Sequence, residues 1–240
     1  MMKIKSLAWY FTLLLPALLS GCNLNCVNPS GKTAAVTKDL ERFSKISVGG
    51  ALKVFIKQSD KSSVSIEADE NVLPLIKARV SGETLEVRQE TNLCNAGEVK
   101  VYITSPEFKA LDLSGAVEVA NGSPVNGEKL DLSLSGASKA DIRVNVEELR
   151  TEASGACEIN LQGRANRHHV EMSGAGSLKA PGLQVADYHI EGSGACKLSI
   201  HATESLDVNS SGAVVVEYKG NPQRINNNSS GASHLKKLGE

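Results

Sequence analysis

Two columns of side chains in this sequence have the types and spacing to do chemistry. Glu152, Glu171 and Glu191 each stand two positions ahead of a Ser-Gly-Ala tripeptide, and His169, His189 and Asp207 stand four positions ahead of three consecutive copies of it. Carboxylates at close, regular separation could cleave a glycosidic bond, provided that one is held protonated and the other is not. Imidazole next to carboxylate could instead hold a divalent cation, zinc more readily than calcium. The serines are a third candidate, but a nucleophile is a single residue with its own base. Here seven equivalent serines occur, and the five histidines (His168, His169, His189, His201, His234) show no triad spacing.

What positions these residues is a repeat. Ser-Gly-Ala begins at 114, 135, 154, 173, 193, 211 and 230, with steps of 21, 19, 19, 20, 18 and 19 residues. An interval this steady marks a structural repeat. Three positions before the serine the column reads Leu111, Leu132, Thr151, Val170, Ile190, Val208, Asn227; five positions after it, Val119, Ala140, Ile159, Leu178, Leu198, Val216, Leu235. Two positions before it the column is polar: Asp112, Ser133, Glu152, Glu171, Glu191, Asn209, Asn228. Stretches such as "LDLSL" and "HHVEM" alternate with period two, as half-buried strands do, and no run inside the repeats has helical spacing.

A coil of about 19 residues cannot bury its own apolar face, whereas stacked copies can. The expected fold is therefore all-β, a right-handed parallel β-helix with rungs about 4.8 Å apart. Gly115, Gly136, Gly155, Gly174, Gly194, Gly212 and Gly231 take equivalent corners, where backbone angles closed to other residues and close approach of neighbouring backbones are needed. The alternative is an antiparallel array with Ser-Gly-Ala at hairpin turns, which more often carry Asn-Gly or Asp-Gly. In-register stacking puts His169 near His189 and Glu171 near Glu191. A bound cation or protonated imidazoles would relieve the crowding of like charges; ordinary solvated side chains are the plainer reading. A ladder of equivalent carboxylates also gives each the same environment, which argues against acid–base division of labour.

The first 21 residues have the layout of a secretory signal peptide: Lys3 and Lys5, a short Pro-interrupted apolar run, then Leu-Ser-Gly before Cys22. Removing them leaves 24 basic against 27 acidic residues, a balance of −3 that lacks the basic footprint of a nucleic-acid binder. Residues 22–40, polar and short of large apolar residues, read as a flexible tether, with order beginning near Phe43. Residues 41–108 alternate as strands and form a less regular β front part, with one helical turn near Pro74; residues 109–235 carry the seven repeats, and 41–240 form one domain. The front part caps the stack or forms a second small coil.

Cys157 and Cys196 both follow Ser-Gly-Ala directly, but two rungs apart, about 9.6 Å, which is beyond disulfide reach. They read as small core residues in the column of Val117, Gly176 and Val214. Cys26 and Cys94 could pair in an oxidising compartment, against which stands the place of Cys26 in the expected tether. No cysteine spacing matches a zinc site, so neither metal nor cofactor is expected.

Two resemblances add to this. Leu19-Ser20-Gly21-Cys22 resembles the lipobox of bacterial lipoproteins, in which the matching cysteine is acylated and becomes the first residue; that role falls on Cys22, the alternative being an ordinary signal peptide with a coincidental cysteine. The phrase "FSKISVGGALKVFIKQS…VSIEADENVLPLIKARVSGETLEVR" followed by serial "LDLSGA" units resembles the auto-transporter adhesin, head GIN domain family over roughly residues 43–235. The resemblance implies a parallel β-helix on a bacterial lipoprotein and supplies no catalytic residue. The mature chain keeps six aromatics and shows no row of rings for stacking sugars. The expected function is a non-catalytic binding, adhesion or scaffold module. It would be anchored through acyl chains in the cell envelope, at the outer membrane, with an envelope protein or glycan as partner. The alternative is a polysaccharide-acting β-helix enzyme.

Overall fold

A computed structural model describes residues 26–94 and 97–239 of the chain. The front part contains β1 (Cys26–Val27), β2 (Thr33–Asp39), β3 (Lys45–Gly50), β4 (Lys53–Gln58), β5 (Ser63–Asp69), β6 (Ile76–Ser81), β7 (Thr84–Gln89), β8 (Asn92–Leu93) and β9 (Lys100–Ser105). The repeats follow as β10 (Ala110–Gly115), β11 (Glu118–Asn121), β12 (Val125–Gly136), β13 (Lys139–Gly155), β14 (Glu158–Gly174), β15 (Ser177–Gly194), β16 (Lys197–Gly212), β17 (Val215–Lys219), β18 (Arg224–Ser229) and β19 (His234–Lys237). A 3-10 turn at Leu73–Leu75 stands where Pro74 limits a helical segment.

From β10 onward all pairing is parallel, with corner glycine on corner glycine: Gly115 lies beside Gly136, Gly136 beside Gly155, and Gly155 beside Gly174; the register shifts only on the far side of the coil, after Asn160 and after Lys179 and Val185. The architecture is the expected β-helix, not an array of hairpins. Alternate residues point inward and form one continuous core, from Val48 and Leu113 through Ile142 and Ile159 to Val208 and Val216. Each corner glycine has positive φ, +93° at Gly174, and up to Gly212 its carbonyl accepts the N–H of the alanine one rung later, as Gly155 does from Ala175 at 2.9 Å. A Cβ on Gly174 would lie 2.7 Å from the Gly155 oxygen. Both the backbone angle and the close approach exclude a side chain there. Cys157 and Cys196 are buried, free, and one residue past their corners; each thiol faces the serine carbonyl three residues earlier at 3.3 Å. Ser138 uses the same place, its hydroxyl donating to the Ser135 carbonyl at 2.9 Å.

The front part supplies an additional corner. β3 stacks on β10 with Gly50 beside Gly115, so Gly49-Gly50-Ala51 is a first rung written without the serine. A Cβ on Gly49 would collide with the Arg88 guanidinium, which reaches across to the hydroxyls of Ser47 and Ser114. No preceding corner carbonyl exists for Ala51, and the Gln89 side-chain oxygen accepts its N–H instead, at 3.1 Å. The hairpin of β6 and β7 then lies beside β3, while β5 and β2 extend the sheet antiparallel from β9. The front end is thus covered. At the other end β18 and β19 pair on one side only, and the inward column turns polar, Asn227 standing beside Val208. Polar inner positions together with Arg224, Lys236 and Lys237 keep this edge solvated.

The expected tether is corrected. Residues 26–39 are built into the fold: β1 pairs with β8, β2 pairs along its whole length with β5, and Cys26 and Cys94 form a disulfide with Cα atoms 5.1 Å apart. β2 packs as an exposed layer, so it carries no apolar alternation to announce it. The Asn71 side chain also holds this segment, bonding the Asn28 carbonyl and the Ser30 N–H. Reduction should speed tryptic cleavage after Lys32 about fivefold or more and shift the melting of the repeats by less than about 4 °C, because the release is local. An unchanged cleavage rate would show that the Asn71 bonds, not the disulfide, hold the segment. The signal-peptide residues 1–21 and Cys22 lie outside the described residues.

Candidate functional site

The residues ahead of the corners line a groove of about 700 Å³ that runs across the rungs. Two ladders line it: Asp112, Ser133, Glu152, Glu171, Glu191, Asn209 and Asn228, and the corner serines from Ser135 to Ser230. Parallel register makes these ladders, because residues two apart on a strand share a face and equivalent residues stack between rungs.

The histidines and glutamates of the two chemical columns do come together. His169 and His189 are directly opposite, their rings stacked with centroids 4.9 Å apart and planes 13° apart. Each donates to the carboxylate two residues along its own strand: His169 to Glu171 at 2.7 Å and His189 to Glu191 at 3.1 Å. The other nitrogen of His189 faces Asp207 at 3.4 Å. Arg150, which the sequence alone did not single out, bridges two rungs, with Nε on Glu152 at 2.6 Å and Nη2 on Glu171 at 2.8 Å. The crowding of like charges is therefore answered by side chains. Among the described residues no group of three or more His, Cys, Asp or Glu is placed to hold a metal ion.

The same contacts bear on acid–base chemistry. The hydrogen bond from His169, then the charges of Arg150 and the two imidazoles, hold the Glu171 carboxyl below the usual range. A general acid needs the opposite shift. The groove is suited to holding an extended ligand by repeated hydrogen bonds, a carboxylate or amide with a hydroxyl on most rungs and two hydroxyls at Ser133 and Ser135.

Behind this face His168 points inward. It is 1 % exposed and packed against the Tyr188 ring, with centroids 5.1 Å apart. Its Nε2 bonds the Thr151 hydroxyl at 2.9 Å, whereas neither Nδ1 nor the Tyr188 hydroxyl has a partner among the described residues. Burial, with a smaller contribution from the His169 charge, lowers its pKa to about 3. The neighbouring positions in this column are Leu130, Leu149 and Leu206. Sequence reasoning noted His168 only as lacking a triad; its strand parity, opposite to His169, was the signal that it faces the core.

Among solved structures, the chain is similar to a protein described as a putative adhesin from Bacteroides fragilis, with 24 % identity over 88 % of this chain and all of that one and a TM-score of 0.85. A putative lipid binding protein from Parabacteroides distasonis matches with 19 % identity over 89 % of this chain and 99 % of that one, TM-score 0.73. A putative adhesin from Parabacteroides merdae matches with 20 % identity over the same shares, TM-score 0.72. At these identities the likeness is one of fold. No curated protein matches the chain. Residues 42–222, most of the ordered front part and the repeats, match a protein family directly. The chain belongs to that family, described as putative auto-transporter adhesin, head GIN domain.

Proposed function

We propose that the protein is a non-catalytic, adhesin-like binding module of the bacterial cell envelope, anchored by acyl chains on Cys22 in the outer membrane and presenting its grooved face to an envelope protein or glycan. The observation that carries this reading is the ladder itself. A groove with a polar side chain and a corner hydroxyl on successive rungs, Glu with Ser on three of them, offers repeated contacts to an extended partner. Family membership and the fold of proteins described as adhesins support it. The Cys26–Cys94 disulfide fits an oxidising compartment.

The reading is tested on cells. Beads coated with the protein should adhere to bacterial or host surfaces, and adhesion should fall when Glu152, Glu171 and Glu191 are changed to Gln together. Polysaccharide turnover by the same preparation, lost in the triple variant, would replace this reading with an enzymatic one. For the anchor, Cys22→Ser should abolish incorporation of labelled palmitate and move the protein from the membrane to the soluble fraction. A variant that stayed in the membrane and stayed labelled would sink the assignment.

A further inference from the structure

Across the corner from the groove, on the outward face of the strands that follow it, lies a second and different surface. Phe55 in β4 and Tyr102 in β9 are direct neighbours in the parallel ladder. Their rings stack with centroids 5.1 Å apart and planes 18° apart, and they stay 38 % and 40 % exposed. The sequence showed no row of rings because the two residues are far apart along the chain and only register joins them. On the other side of Phe55 the next two positions in the row are Ala120 and Asp141. Ala120 leaves a recess of about 190 Å³ there, with Phe55 as one wall and Lys53, Glu118, Lys139 and Asp141 around the rim.

Stacking of two rings across strands is ordinary sheet packing. The recess beside the pair is what asks for a ligand. Its volume is on the scale of one small ring. Its rim carries two ammonium and two carboxylate groups, so it favours a neutral ligand over an ionic one. Lys53 and Lys139 also pair with Glu98 and Glu158 outside the recess, and the four rim groups keep the capacity to donate to and accept from hydroxyls, bonds that an acyl chain could not make. A peptide strand has nowhere to bond, because the backbones of β4 and β11 are paired on both sides at this row. A ring with one apolar face and hydroxyls at its edge satisfies wall and rim together.

We propose that the recess between Phe55 and Asp141 is a glycan subsite that seats one neutral pyranose residue, its apolar face against the Phe55 ring and its hydroxyls on the rim. This rests on the reading of the protein as a binding module and names the ligand class at a site separate from the groove. Beyond Asp141 the row continues through Asn160 and Lys179, polar positions over which further sugar units would lie.

The test is a saturation-transfer NMR titration of the full chain with the α- and β-methyl glycosides of glucose, galactose, mannose, fucose and N-acetylglucosamine. At least one should bind with a Kd of about 10 mM or tighter. Phe55→Ala should weaken it at least tenfold, and so should Ala120→Leu, which fills the recess from an outward position and leaves the core alone. Lys38→Gln, on the exposed strand β2 and outside both the recess and the groove, should leave it unchanged. The inference is overturned if none of the ten glycosides binds, if both recess variants bind as the parent does, or if adenosine, an aromatic ring, binds more tightly than every glycoside. Loss of glycoside binding with bead adhesion intact removes this subsite alone; loss of both removes the binding-module reading with it.

Discussion

Gly174→Val is expected to destabilise the protein by about 3–5 kcal/mol, which for a chain of this size is a fall of roughly 6–20 °C in melting temperature. Two terms add. Valine at a φ of +93° is strained by about 1–3 kcal/mol. Its Cβ would also press on the Gly155 oxygen, and relieving that contact moves the carbonyls of two rungs. The Ala175 N–H bond to Gly155 and the Ala195 N–H bond to Gly174, at 2.9 and 2.8 Å, then lengthen, at about 1 kcal/mol each. Because rungs bond only to their neighbours, a fault at this central corner should also split the melting into two transitions. Ala175→Val is the matched control. That side chain is exposed and only its N–H is used, so it should melt close to the parent. Equal melting of Gly174→Val and the parent would refute the account of the corner.

The second large effect is one of pH. An imidazole in the unfolded chain takes up its proton near pH 6.5, whereas His168 in the folded protein does so only at about 3. Between those values the unfolded chain holds the additional proton, so stability is full above about pH 6.5 and is lost at about 1.4 kcal/mol per pH unit as the pH falls towards 3. His201, its pKa also lowered by burial and by Lys219, acts in the same direction. His168→Leu writes in the residue that Leu149 and Leu206 place in the same column, and Thr151→Val removes the hydroxyl that would lose its partner. Urea unfolding of this double variant at pH 7 and pH 5 should show the parent's loss reduced by about 2 kcal/mol. A parent equally stable at both pH values, or a variant with the parent's full loss, would contradict the buried neutral imidazole.

The corners were legible because their demand falls on the backbone. A carbonyl turned to the next rung at positive φ accepts glycine at each repeat, and so the tripeptide recurs in the text of the chain. Where a side chain takes over part of the corner, the signature fades: Arg88 displaces the serine at Gly49, and Gln89 replaces a carbonyl, so the first rung reads Gly-Gly-Ala and escapes a search for the tripeptide. β2 escaped for a different reason, being an exposed layer recognised by pairing rather than by an apolar face. Gly163 carries no tripeptide either, yet its φ is +112° and a Cβ would overlap the Val144 oxygen. The carboxylate and histidine columns could be read from spacing. The Arg150 bridge and the Phe55–Tyr102 pair could not, since both depend on which rungs are neighbours.

The disulfide at Cys26 changes how far the domain can wander from a membrane. A free segment from Cys22 to Phe43 would span up to about 70 Å when extended, long enough to pass through a thick layer of envelope material. With Cys26 fastened to Cys94 beside the covered end, the leash from an acylated Cys22 shrinks to about 14 Å. Under the acylation of Cys22 proposed above, the part of the domain that carries the disulfide would be held within that distance of the lipid, and a partner of the groove would meet it close to the membrane surface.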